Sequence, residues 1–181
     1  MTRLFPLFTL WGVTTRMSPI SALLNVGVAA ILSWGAARQL AVGPGPAALA
    51  GSLLTLCILL TEWLHQMGHA CAARATGYPM QSIDYIFAML AISRYPATEP
   101  ELPAALPIRR ALGGFWVNLV IALILAPYAM LMWMQGTLAG WVLGWTALTN
   151  LLWTVLSFVP VDIPGWFATD GGTLLRYWRK R

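Results

Sequence analysis

The sequence predicts an all-α polytopic membrane protein: about four membrane-crossing helices with a small β-sheet at the cytoplasmic membrane face. Three observations carry this reading. Of 181 residues, 59% are hydrophobic and only 9% charged, against about 25% charged in an ordinary soluble domain. Four apolar stretches approach or exceed the roughly 20 helical residues needed to cross a hydrocarbon core of about 30 Å. Two shorter segments have the alternation and β-branched residues of strands instead of a helical period.

Taken in order, the first of these segments is "LFTLWGVTTRMSPI", read as strand over about 7–18 with Gly12 as a kink point. The first span follows over about 20–40. "VGPGP" (42–46) is a tight connector to the second span, over about 47–74. Connections this short join antiparallel neighbours. "GYPMQSIDYIFAMLAISRYP" then reads as strand over about 78–95, with Ile83, Tyr85 and Phe87 alternating against Asp84 and Ile86. Interfacial loop and short helix are the alternative there. The proline-rich, acidic stretch 97–107 leads into a third span over about 111–134, and "QGT" joins it to a fourth over about 139–158. Residues 1–181 read as one membrane-embedded domain.

Charge orients the spans. With the N-terminus inside, ten basic residues fall in cytoplasmic segments and one, Arg38, outside. The positive-inside rule then places both termini in the cytoplasm. The basic residues are too scattered for a nucleic-acid groove. Ten tryptophans fit a chain anchored at the lipid–water boundary. Cys57 and Cys71 lie about 21 Å apart along one predicted helix and do not pair. No secretory signal peptide is expected.

The second span ends in a polar cluster. At 100° per residue, Glu62, His65, Gln66 and His69 share a helical stripe about 100° wide. Ionisable residues within a membrane span are functional by default. Histidines at i and i+4 can place two ring nitrogens on one tetrahedral zinc, and these are the only two histidines in the chain. The alternative is a pair of core histidines bonded to backbone carbonyls. A catalytic zinc takes a third protein ligand. The candidates are Asp170, before a glycine pair, and Asp162.

"LHQMGHACAARATGYPM" resembles the H-E-x-G-H-A helix of the site-2 protease family of intramembrane zinc metalloproteases. "ALGGFWVN" resembles the family's A-G-P-x-x-N segment, and "LSFVPVDIPGWFATDGGTLLR" its N-L-L-P…D-G segment. The opening "GVTTRMSP" and the later "GYPMQSID" are similar to the strands that flank its first helices. The resemblance implies His65, His69 and Asp170 as zinc ligands, and Asn118 as a polar group facing the substrate or the developing oxyanion. Phe115 and Ser157 depart from the family's proline and asparagine, and the stretch from Pro160 to Asp170 is longer, with room for a turn around Trp166.

Gln66 is the departure that touches chemistry. The family has a glutamate there, which takes a proton from the attacking water and passes it to the leaving amine. A glutamine keeps the size but accepts no proton at neutral pH. Glu62, one turn earlier on the same stripe, reads as an outer acceptor for a ligating histidine's N–H. With every other element present, Gln66 reads as a substitution introduced to trap the enzyme, ahead of drift to an inactive homologue. The expected function is therefore cleavage of transmembrane segments of partner proteins near the cytoplasmic side, with the peptidase impaired in this chain. A non-catalytic module that binds transmembrane partners is the alternative. A two-histidine haem bundle is disfavoured, because an i, i+4 pair cannot supply both axial faces of one haem.

Overall fold

A computed structural model describes residues 3–163 and 167–179. Among the described residues, four helices have the length and apolar character to cross a membrane: α1 (Pro19–Leu40), α2 (Pro44–Ala75), α3 (Ala105–Trp133) and α4 (Leu138–Leu156). A short fifth helix, α5 (Asp170–Trp178), follows. Four strands form one mixed sheet in the order β1 (Phe5–Leu10), β2 (Val13–Met17), β3 (Ser82–Phe87) and β4 (Leu90–Arg94). Only the β2–β3 pairing is parallel. The chain is thus a multi-pass, mostly helical membrane protein with a small sheet.

Local chemistry sets the ends of these elements. Ser18 caps α1, its Oγ accepting from Ser21 N at 3.0 Å, with Pro19 in the first turn. Residues 7–18 are not a single kinked strand. Trp11 (φ 51°) and Gly12 (φ 79°) turn the chain back between β1 and β2. Helix α2 begins at Pro44, three residues ahead of the sequence boundary, since proline in the first helical turn gives up no helical bond. Helix α3 begins six residues early, at Ala105, and takes in Pro107, Arg109 and Arg110. Hydropathy misses this turn because its arginines resemble a linker. Residues 164–166, including Trp166, lie outside the described set; on either side of them β5 (Asp162–Ile163) pairs with β6 (Phe167–Ala168).

The alternation read in β3 does not separate core from solvent. Ile83 and Tyr85 are buried, but so is Asp84, at 1% exposure, while Phe87 is 56% exposed. Asp84 tolerates burial because Arg16 grips it at 2.7 and 2.8 Å and Arg94 lies at 3.4 Å. That pairing holds the Arg16 guanidinium above its ordinary pKa.

The sheet is fastened to the helices by polar bonds. Trp63 Nε1 donates to Thr15 Oγ1 at 3.0 Å, and Tyr85 Oη donates to the Leu59 carbonyl at 2.8 Å. Ser21 and Asn25 of α1 donate to the Ala88 carbonyl in the β3–β4 turn, at 2.8 and 3.0 Å. Helices α2 and α3 cross in backbone contact: a Cβ on Gly68 would stand 2.5 Å from the Gly113 carbonyl oxygen, and one on Gly113 equally close to Gly68. Small residues at such crossings let membrane helices approach. Gly68 lies between the two histidines, so the closest approach of α3 falls beside them.

Candidate metal centre

Helix α2 carries His65 and His69 on one face, and the i, i+4 spacing brings their Nε2 atoms to 3.0 Å. Asp170 arrives from the first residue of α5. Thr169 caps that helix, its Oγ1 accepting from Gly172 N at 3.1 Å, and Gly171 N donates to the Ser157 carbonyl at 2.7 Å. So anchored, the Asp170 carboxylate lies 3.3 Å from His69 Nε2 through Oδ1 and 3.7 Å from His65 Nε2 through Oδ2. One ligand atom from each residue falls within 4.8 Å of the others.

These donors fit a zinc ion. Bonds of about 2.0–2.2 Å in a tetrahedron separate neighbouring ligand atoms by roughly 3.3–3.5 Å, and the structure gives 3.0, 3.3 and 3.7 Å. Asp170 Oδ2 is buried with no hydrogen-bond partner among the described residues, so an acceptor stands ready at that corner. Burial pushes the Asp170 carboxyl up to about 6, with His69 opposing. Asp162 does not share the site, since Arg176 holds both its oxygens.

Helix α3 orients the rings. Arg110, Gly114 and Asn118 stand four residues apart on one stripe. The Arg110 carbonyl lies 2.7 Å from His69 Nδ1. A carbonyl only accepts, so Nδ1 carries the proton and Nε2 presents a lone pair to the centre. Gly114 N also approaches Nδ1, at 3.3 Å; the shorter contact decides the tautomer. A Cβ on Gly114 would collide with both imidazoles, so glycine there lets the rings lie against α3. Asn118 is 1% exposed, and its Nδ2 lies 3.0 Å from His65 Nδ1.

Gln66 faces a different set of partners. Its Nε2 donates to Glu62 Oε1 at 2.9 Å and to the Ala91 carbonyl at 3.3 Å, and its Oε1 accepts from Ser93 Oγ at 2.6 Å. Glu62 therefore receives its hydrogen bond from Gln66 and not from a histidine N–H; the ring nitrogens face Arg110 and Asn118. Asn150 of α4 is fully buried and donates back to the Thr146 carbonyl of its own helix at 2.9 Å. Arg110, Gly114 and Ser93 were missed. The spacing of Arg110 and Gly114 ahead of Asn118 is the signal that finds the first two, and nothing local marks Ser93.

The centre opens on a cavity of about 720 Å³, lined by β4, the segment after it, α4 and α5 as well as the histidines. Above it the Arg110 guanidinium binds Glu99 at 2.9 and 2.6 Å and the Tyr78 carbonyl at 2.6 Å, and lies 4.2 Å from the centre of the Tyr95 ring.

Four membrane helices, a sheet bonded to their flank and a His–His–Asp group where they meet define a fold that has a counterpart of known structure. In particular, the chain is similar to the solved structure of the site-2 protease from Methanocaldococcus jannaschii, with a TM-score of 0.66 over 98% of this chain and 72% of that one. The two are 17% identical, so the likeness is one of fold. Neither a protein-family model nor a curated protein matches the chain.

Proposed function

We propose that this chain is an intramembrane zinc metalloendopeptidase of the site-2 protease type whose hydrolytic step is silenced at Gln66. The observation that supports it most is the convergence of His65, His69 and Asp170, at 3.0–3.7 Å, on the wall of a cavity inside a four-span membrane fold. Zinc held by those three residues would supply Lewis acidity and bring the pKa of water from about 15.7 to about 7. The chain's own residues orient and bind. The Arg110 carbonyl fixes the His69 tautomer, and Gly114 leaves room for both rings. Gln66 offers an amide where proton transfer needs a base. Loss of a general base costs about 10²–10⁴-fold, or roughly 2.7–5.4 kcal/mol of barrier.

The substrate class is a transmembrane segment of another protein. Basic-residue asymmetry supports an orientation with both termini, the sheet and the centre on the cytoplasmic side. A helical substrate must unwind to expose its scissile carbonyl. Among the described residues β4 pairs as a strand with β3 alone, and residues 90–95 line the cavity, so its other edge, where the Ala91 carbonyl accepts from Gln66, can receive the unwound piece by strand addition. Proline substitutions along β4 should then depress cleavage in a Gln66→Glu background; unchanged cleavage would remove the strand from the mechanism.

One observation favours a second reading, a natural inactive homologue that binds transmembrane partners. The Gln66 amide is fully engaged by Glu62, Ala91 and Ser93. A glutamate at 66 would lose the donor to Glu62 and set a second carboxylate against it. The test is Gln66→Glu in the purified chain, alone and with Glu62→Gln, incubated with a transmembrane reporter peptide. Chelator-sensitive cleavage by either variant supports the protease. Zinc binding without cleavage in both supports the homologue.

A further inference from the structure

We infer that Asn118 is a positioning residue for His65: by presenting one or the other end of its carboxamide, it decides which ring nitrogen of His65 carries the proton, and so whether Nε2 offers the His–His–Asp centre a proton or a lone pair. This rests on the metal-centre reading above and adds a role to a residue for which the family resemblance implies a position facing the substrate or the developing oxyanion.

With Asn118 Nδ2 facing His65 Nδ1 at 3.0 Å, the amide N–H can only donate, so Nδ1 offers a lone pair and the ring proton sits on Nε2. That Nε2–H meets the His69 Nε2 lone pair at 3.0 Å, and His69 Nδ1 passes its own proton toward the Arg110 carbonyl at 2.7 Å. Asn118, His65, His69 and Arg110 thus form one chain in which each donor meets an acceptor. This wiring fills the space between the imidazoles with a proton, and it leaves Asn118 Oδ1 buried without a partner among the described residues.

A cation shared by both Nε2 atoms requires the other wiring. His65 must then carry its proton on Nδ1, and Nδ1–H needs an acceptor. A 180° turn of the carboxamide exchanges Nδ2 for Oδ1 at almost the same point in space. The otherwise orphaned Oδ1 becomes the acceptor, and the helix need not move. A carboxylate only accepts and an ammonium only donates; an amide serves both states. At 1% exposure no solvent substitutes for it. The Asn118 carboxamide is therefore committed to the histidine and is not a free donor for a substrate carbonyl.

With only two histidines in the chain, ring-¹⁵N-histidine NMR of the full chain in detergent resolves both tautomers. The expected result is His65 protonated on Nε2 after chelator treatment and on Nδ1 after zinc is added. In competition against a chromophoric chelator, Asn118→Leu should bind zinc about 10–100-fold more weakly, whereas Asn118→Asp, which keeps an acceptor, should stay within about threefold of the unmutated chain or bind more tightly. The Asp variant separates positioning from packing, since a merely structural asparagine would lose affinity in both. Equal affinity of the Leu variant and the unmutated chain, or equal loss in the two variants, overturns the assignment. An unmutated chain that takes up no zinc overturns the metal-centre reading itself, and this inference with it.

Discussion

Removing the Glu99 carboxylate should destabilise the fold by far more than the loss of a surface ion pair. Glu99 sits in the segment between β4 and α3, and Arg110 belongs to the first turns of α3. The pair is bidentate, at 2.9 and 2.6 Å, with side-chain exposures of 18% and 7%. In Glu99→Ala the guanidinium stays buried against Tyr95 and the Tyr78 carbonyl, with Nε already unpartnered among the described residues. Breaking one side of a buried pair costs about 3–5 kcal/mol, because the remaining charge is left uncompensated. An exposed pair is worth about 0–1 kcal/mol. The assay is reversible unfolding in mixed micelles, followed by tryptophan fluorescence. Glu99→Gln, which keeps one acceptor, should fall between the unmutated chain and the alanine variant. The double variant Glu99→Leu/Arg110→Met should cost well under the sum of its two single substitutions, because partners in one buried network are not additive. A Glu99→Ala loss under about 0.5 kcal/mol would refute the reasoning and place the pair among surface contacts.

Two further outcomes follow from the centre. Gly114→Ala should abolish high-affinity zinc binding, since its Cβ collides with both imidazoles, and overpacking should add about 1–3 kcal/mol of destabilisation in chelator; isothermal titration with zinc reads the first and unfolding the second. The Asp170 carboxyl is raised by burial from 3.8 to about 6 in the folded chain. Between these values the folded chain holds a proton that the unfolded chain lacks, so the ionised group opposes folding above about pH 6, and that penalty fades as pH falls toward 4. In chelator, Asp170→Asn should therefore gain stability over the unmutated chain at pH 7 by on the order of 2–3 kcal/mol and lose that advantage by pH 4. A pH-independent difference would contradict the assigned burial.

Much of this architecture was legible because a bilayer limits what a chain can do. Long apolar runs must be helices, and the spans came within a few residues of their structural ends except at α3. There, Arg109 and Arg110 looked like linker because burial of an arginine depends on Glu99, whose place is set by tertiary packing. The same applies to Asp84: its charge marked an outward strand position, yet two arginines distant in sequence hold it inside. The histidine pair was legible from helical spacing alone. Asp170 was not separable from Asp162 by spacing, and the structure separates them through the Thr169 cap and the Arg176 pairing. The Glu62–Gln66 bond is an i, i+4 pair on α2 itself, but the other partners of Gln66 could not be read there, because Ala91 and Ser93 reach it from β4.

The central claim is that the polar cluster on α2 and the aspartate opening α5 hold one hydrolytic metal. The most direct test is the metal content of the purified full chain in detergent, measured by mass spectrometry beside His65→Ala and Asp170→Ala. About one zinc per chain is expected, lost in both variants. An unmutated chain free of zinc under conditions that exclude stripping would contradict it, as would zinc retained in full by both variants.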